Sequence, residues 1–364
     1  MLLSRRAVLF APVSIAAATT GAQVVSPDAQ YYSGWPTVAR RSNGELLLVC
    51  SGGREGHVCP FGRVELMRSK DEGASWSWPE TVMDSAIDDR DAGVLETPKG
   101  TLLVTTFTSL AYEGYLEKAR NWHPERLAKW KAAHARLNAE QRKAHLGTWM
   151  LRSTDGGVNW SAPFRVPVNS PHGPFALRSG RLLYPGKALW EPSSRVGVAE
   201  STDDGATWRY LSDIPTRPGD DHDNYHELHG VEASDGRIIV QIRNHNKADN
   251  HETLQCESSD GGKTWSMPHT IGVWGLPSHL LRLRDGRLVM TYGYRRPPFG
   301  NQARISADSG KTWSAPITVS DDGMGGDLGY PSTVELANGD MLTVWYELLN
   351  GSLRAILRQR RWKL

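Results

Sequence analysis

Cysteine is scarce: Cys50, Cys59 and Cys256 are the three thiols in 364 residues. An odd number of cysteines implies no disulfide framework, although Cys50 and Cys59 could pair across one loop, so packing has to hold the fold. His57 lies close to Cys59, but no second Cys/His pair follows, and neither a metal nor another cofactor is expected. An excess of one charge is missing too. Lys and Arg total 42 against 40 Asp and Glu, a net +2, whereas binding to nucleic acid needs a concentrated basic face. The N-terminal apolar stretch, Ala7–Ala18, is too short to span a bilayer. It follows Ser4-Arg5-Arg6 and precedes the small residues Thr20-Gly21-Ala22, the layout of an export signal over residues 1–22. The paired arginines suit the twin-arginine route, with a Sec signal as the alternative. The expectation is a periplasmic or extracellular protein with no stable membrane insertion once the signal is removed.

What is present is repetition. Ser-x-Asp-x-Gly-x-x-Trp occurs five times with identical spacing, at Ser69–Trp76, Ser153–Trp160, Ser201–Trp208, Ser258–Trp265 and Ser306–Trp313. Each copy reads as a hairpin turn. Its aspartate (Asp71, Asp155, Asp203, Asp260 or Asp308) accepts backbone N–H bonds, its glycine supplies a positive φ, and its tryptophan packs beneath. These are structural roles. A second repeat, a glycine before an apolar strand, starts at Gly44, Gly100, Gly180, Gly236, Gly286 and Gly339. Six such units of short β-rich runs broken by Gly, Pro and Asp predict an all-β fold, a six-bladed β-propeller over residues 23–364. The sixth unit lacks the Asp turn, so a strand from Gln23–Tyr32 is expected to complete it and close the ring.

Helix-forming sequence is confined to the long interval inside blade two. Glu113–Arg120 and Pro124–Leu146 are rich in Ala, Lys, Arg, Leu and Glu, and Pro124 suits a first helical turn. This insertion, 113–146, reads either as a structural cap or as a wall of a substrate site.

The blade register selects candidate residues. In a propeller, the segments entering each first strand and leaving each second strand converge on one face. The entering segments hold Trp35-Pro36, Asp89-Arg90-Asp91, His172, His226-Glu227, Ser278-His279 and Tyr330. The leaving segments hold Arg54-Glu55, Thr108, Lys187, Arg243, Tyr294-Arg295-Arg296 and Tyr346-Glu347. Arginines beside carboxylates and a tyrosine point to an anionic, polar ligand.

Taken together, the sequence resembles the sialidase superfamily. The five turns look like that family's Asp boxes, and the likeness covers nearly all of the chain beyond the leader except the helical insertion. Glu227 with Glu232, Asp235-Gly236-Arg237 and Ile242-Arg243-Asn244 is similar to the family segment that carries a catalytic glutamate and a carboxylate-binding arginine. Tyr330 looks like the tyrosine nucleophile, and Arg295 or Arg296 like a second arginine of the triad. The chain departs from the pattern twice. Trp35-Pro36 stands where the first arginine is expected, with Arg54 or Arg90 as spatial substitutes. The loop Arg54-Glu55-Gly56-His57-Val58-Cys59 carries no aspartate where the family has its acid/base, leaving Glu55, His57 or Asp91 for that role.

The resemblance implies an exo-acting glycosidase that releases a terminal acidic sugar, sialic acid or similar, from a glycan. Tyr330 would attack the anomeric carbon while Glu227 takes its proton, because a neutral phenol is a poor nucleophile. Arg243 and Arg295 would hold the sugar's carboxylate. Density in histidine, His279 among them, keeps open elimination on a uronic acid. A non-catalytic carbohydrate-binding propeller with Trp35 as a stacking platform is the third reading.

Overall fold

Leu46-Leu47-Leu48-Val49 shows how the sequence builds the ring. All four residues are buried, and alternate side chains of a strand point to opposite faces. Leu46 and Leu48 join a cluster with Val334, Leu342 and Val344, while Leu47 and Val49 join one with Val94, Leu102 and Val104. A continuous apolar run therefore marks a strand sandwiched between two neighbouring sheets. Among the described residues, six such layers lie between adjacent blades, and a seventh lies beneath the helices.

The computed structural model describes residues 21–26, 30–191, 194–247, 252–348, 352 and 354–364. The candidate export segment up to residue 20 lies outside them, as do residues 27–29 of the proposed closing segment. Six four-stranded antiparallel sheets form the propeller. The first two strands of blades I to VI are Tyr32–Arg40 and Leu46–Arg54, Asp88–Glu96 and Leu102–Ser109, Phe175–Ala176 and Leu182–Lys187, Tyr225–Glu232 and Ile238–Asn244, Ser278–Arg282 and Leu288–Tyr294, and Leu328–Glu335 and Met341–Leu348. Blade VI is completed by Gln23–Val24, paired antiparallel to Ala355–Trp362 through Gln23↔Gln359 and Val24↔Arg358. The ring closes by the strand expected from the N-terminal side.

The Asp boxes turn as read. In the first, the Ser69 hydroxyl donates to Asp71 Oδ1 at 2.7 Å, the Gly73 amide donates to Ser69 Oγ at 2.7 Å, and the Ser75 amide donates to Asp71 Oδ1 at 2.9 Å. Three of the five tryptophans also reach the preceding blade: Trp76 Nε1 donates to Gln359, Trp265 Nε1 to Ser212, and Trp313 Nε1 to Gln255. The glycine has a second reason besides its φ of 81° at Gly310. A Cβ there would lie 2.2 Å from Ile239 of the neighbouring blade.

The insertion folds as three helices, α1 (Tyr112–Glu117), α2 (Pro124–His134) and α3 (Ala139–Ala144). The single long passage expected over Pro124–Leu146 breaks at Asn138. Its side chain accepts from the Gln141 amide while the Gln141 side chain bonds back, a capping box that starts a new helix.

Candidate active site

Four first strands carry the same irregularity. Between Gly34 and Thr37, Arg90 and Gly93, His226 and His229, and Gly329 and Ser332, the first strand advances one residue more than its partner. Each bulge places a non-glycine residue at positive φ: Trp35 at 53°, Asp91 at 47°, Glu227 at 45° and Tyr330 at 51°. Such backbone costs about 1–3 kcal/mol per residue and persists where the surroundings enforce it, commonly at functional sites. These residues were expected in loops ahead of the strands. They lie inside the strands, because a bulge kinks the chain without ending its pairing and so aims a rigidly held side chain at the axis.

Two of these bulges meet at Arg243. Arg243 lies on the second strand of blade IV, opposite His226, which puts its guanidinium beside the Glu227 bulge. Its Nη1 pairs with Glu227 Oε2 and lies 3.1 Å from the Tyr330 hydroxyl. The same hydroxyl donates to Glu227 Oε1 at 2.5 Å. Burial alone would raise the Glu227 pKa, but the Arg243 charge and hydrogen bond, the Tyr330 hydroxyl and the Arg295 charge hold it below the usual carboxylate range. Burial, reinforced by Glu227, pushes the Tyr330 phenol well above its ordinary value despite Arg243. The free site thus stores its proton on the tyrosine. An anion that shares Arg243 weakens that arginine's hold on Glu227 and makes the glutamate a stronger base.

The remaining arginines divide. Arg295 Nε donates to the Leu328 carbonyl at 2.9 Å, with its guanidinium 5.8 Å from the Tyr330 ring centre, so it borders the site. Arg296 turns away and lies 3.5 Å over the ring of Trp274, on the outer strand of blade IV; it is not part of this cluster. Arg54, considered above as a ligand contact, is an internal strut. It is 0% exposed and pairs in bidentate fashion with Asp88 at 2.6 and 2.9 Å. Its other bonds reach Ser51 Oγ and the carbonyls of Asp89, Gly56 and His57.

Trp35 is no stacking platform, since only 1% of it is exposed. Its ring is bracketed by Arg90 at 4.6 Å and Arg54 at 5.0 Å, and it backs onto Tyr330 at 6.4 Å. Arg90 is therefore the substitute cation that remains beside the site. The residue before Trp35 has little room for a side chain. A Cβ on Gly34 would approach the Tyr32 ring to 3.0 Å and the Tyr346 ring to 3.7 Å.

The three acid/base candidates occupy different places. Glu55 is engaged by Lys129 Nζ at 2.6 Å and Trp130 Nε1 at 2.7 Å. Burial opposes its charge, but these helix α2 partners prevail and lower its pKa, the opposite of what a proton donor needs. Glu55 pins the insertion to the loop. Asp91 is buried, with Oδ1 lacking a hydrogen-bond partner. Burial raises its pKa and Arg90 pulls it back, but Glu227 adds to the rise, and it sits at about 7. His57 is half exposed, and its ring lies edge-on to Trp35 at 4.9 Å. Its Nδ1 is 3.0 Å from Asp327 Oδ1. Asp327 was not among the expected residues. Its signal was topological, since it stands in the segment entering a first strand, three residues before Tyr330.

His279 belongs elsewhere. It stacks on His229 at 4.6 Å and meets His172 edge-on at 5.1 Å, a buried trio with His229 and His279 on first strands and His172 in the turn before another. The Leu280 amide donates to His229 Nδ1, and the Thr333 amide to His279 Nδ1, which leaves Nε2 as the protonated nitrogen on both rings. Among the described residues no cluster of His, Cys, Asp and Glu is arranged to hold a metal.

Burial lowers all three histidines, His279 to about 3. Below pH 6.5 an unfolded chain binds protons that these rings refuse, so their contribution is present above that value and lost on acidification. Asp89 and Asp91, both raised by burial to about 7, act with the opposite sign, losing stability as pH rises through 7. In His279→Gln the difference in unfolding free energy between pH 7.5 and pH 5 should shift by about 2 kcal/mol toward acid tolerance. Urea melts at the two pH values check this, and an unchanged difference would mean that His279 is protonated in the native state.

A six-bladed ring, bulged inner strands and an Arg–Glu–Tyr cluster at the axis define a sialidase-like propeller. A family profile described as the BNR repeat-like domain matches residues 127–343, and the chain belongs to that family. Among solved structures it is similar to a protein of unknown function from Dyadobacter fermentans at 24% identity, with a TM-score of 0.76, covering 93% of this chain and 97% of that one. It is also similar to the NanB sialidase of Streptococcus pneumoniae at 16% identity, TM-score 0.67, covering 97% and 71%. A leech intramolecular trans-sialidase matches at 15% identity, TM-score 0.65, covering 95% and 70%. At these identities the likeness establishes the fold. Among the described residues no helix is long and apolar enough to cross a membrane.

Proposed function

We propose that the protein is an exo-acting glycosidase that releases a terminal acidic sugar from a glycan, with Tyr330 as nucleophile and Glu227 as its base. The observation that carries this reading is the 2.5 Å bond from the Tyr330 hydroxyl to Glu227, with Arg243 contacting both. The phenol oxygen attacks the anomeric carbon, its proton passes to Glu227, and a glycosyl-tyrosine forms as the bond to the leaving oxygen breaks. Water then releases the sugar, and Tyr330 regains its proton. A neutral nucleophile whose proton leaves to a neighbour avoids repulsion from a substrate carboxylate. Arg243 and Arg295 are the groups that bind this carboxylate, with Arg90 nearby. Elimination loses its support, because three of the histidines that suggested it, His172, His229 and His279, are buried together. Export of the chain, read from Arg5-Arg6 and Ala7–Ala18, would place it where polymeric glycans are found.

Incubation with 4-methylumbelliferyl glycosides of N-acetylneuraminic and glucuronic acid, and with sialyllactose, tests the reading between pH 5 and 8. Release of the free acid from at least one is expected. No release from any of them rejects it.

A further inference from the structure

We propose that His57 is the proton donor to the leaving oxygen and that Asp327, on the opposite side of the blade VI–blade I junction, is its positioning residue. This inference rests on the glycosidase reading above. The nucleophile lies on the floor of the site, with Tyr330 only 5% exposed. Displacement at the anomeric carbon sends the leaving group away from the attacking oxygen, toward the open face. The donor therefore has to stand at the rim. Asp91 is buried in the blade II bulge, and Glu55 is committed to helix α2. His57, half exposed, is at the rim.

The geometry around His57 is that of an oriented base. Its Nδ1 faces Asp327 Oδ1 at 3.0 Å, with the Tyr32 hydroxyl 3.1 Å away, which leaves Nε2 as the ring nitrogen open to a ligand. Asp327 is held in turn by the hydroxyls of Tyr32 at 3.1 Å and Tyr346 at 3.0 Å. Burial opposes the Asp327 charge, but the bond and charge of His57, with the two phenols, keep the carboxylate ionised. The charged and titratable groups facing the dyad are thus Asp327, Tyr32 and Tyr346, with Arg54 donating to the His57 carbonyl from below.

The loop is braced from the far side. Val58, Cys59 and Phe61 pack with Trp130, Trp122 and Tyr112 of the insertion. The insertion acts on the site through this loop, which joins the two roles considered for it.

The proton balance closes over two steps. In the first, Nε2–H of the imidazolium passes to the leaving oxygen as the glycosidic bond breaks and the Tyr330–carbon bond forms, leaving neutral His57 with Nδ1–H toward Asp327. In the second, Nε2 takes a proton from water as that water displaces Tyr330, whose oxygen recovers its proton from Glu227. The net change is one water consumed and two hydroxyls formed.

Leaving-group dependence separates this role from a structural one. For the acidic sugar that the wild type releases, kcat/KM is measured on the 4-nitrophenyl glycoside, whose phenolate departs with little help, and on the corresponding alkyl glycoside, whose alkoxide needs a proton. In His57→Gln the ratio of alkyl to nitrophenyl kcat/KM should fall about a hundredfold. Asp327→Asn should lower it about tenfold, with thermal melting within a few degrees of wild type for both variants. An unchanged ratio in His57→Gln overturns the assignment while leaving the glycosidase reading standing. Absence of turnover by the wild type removes both.

Discussion

Tyr330→Phe should lower kcat by about three orders of magnitude while leaving the binding of an acidic sugar within a fewfold of wild type. The phenylalanine ring keeps the packing against Trp35, Tyr346 and His172. What it loses is the oxygen proposed as nucleophile, together with the 2.5 Å bond to Glu227. Glu227→Gln should also lose most of its turnover, for another reason: the phenol has no acceptor for its proton, and Arg243 loses its counter-charge. Because the proposed mechanism joins the two residues in one proton transfer, it requires the double variant to be little worse than either single one. Single-turnover kinetics with an activated aryl glycoside, beside equilibrium binding of the product acid, give both quantities. Turnover in Tyr330→Phe within tenfold of wild type would remove the tyrosine from the nucleophile role, and strictly multiplicative losses would separate it from Glu227.

Replacement of Arg54 by Met should destabilise the protein by about 3–5 kcal/mol, the cost of leaving a buried charge without its partner. Asp88 is 0% exposed and takes both of its shortest charge contacts from Arg54; its remaining cation, Arg90, is 3.7 Å away. Three carbonyl groups lose a donor as well. Arg54→Met with Asp88→Asn should recover most of the loss, since a neutral amide avoids the isolated charge. Urea melts of the two variants beside the wild type decide this. A single variant that melts like wild type would show that solvent reaches Asp88. The carbonyls of Gly56 and His57 hang on the same guanidinium, so the variant should also loosen the loop that carries His57.

The propeller was legible because its determinants are local. Ser69, Asp71 and Gly73 bond within a few residues of one another, and every repeat copies that arrangement, so spacing alone counted the blades and aligned their strands. Runs such as Leu46–Val49 marked strands buried on both faces. The same register brought Glu227, Arg243 and Tyr330 into view, because residues at equivalent places in different blades have to converge on the axis. Asn138 and Gln141 held a local signal too, the capping box that divides the long helical passage.

Side-chain partners were a different matter, since they depend on which group reaches which across tens or hundreds of residues. Arg54 and Arg90 look alike in sequence; one is sealed under Asp88 and the other lies against Trp35. His279 looked like a ligand contact until the neighbouring blades brought His172 and His229 against it. Asp327 acquires its meaning from His57, 270 residues away in the chain. By itself the sequence determined the number of blades, the order of their strands and the residues aimed at the axis, all consequences of short-range turns repeated in register. Only the tertiary structure decided which of those charges are already satisfied by one another, because desolvation and pairing are set by neighbours that chain order does not name.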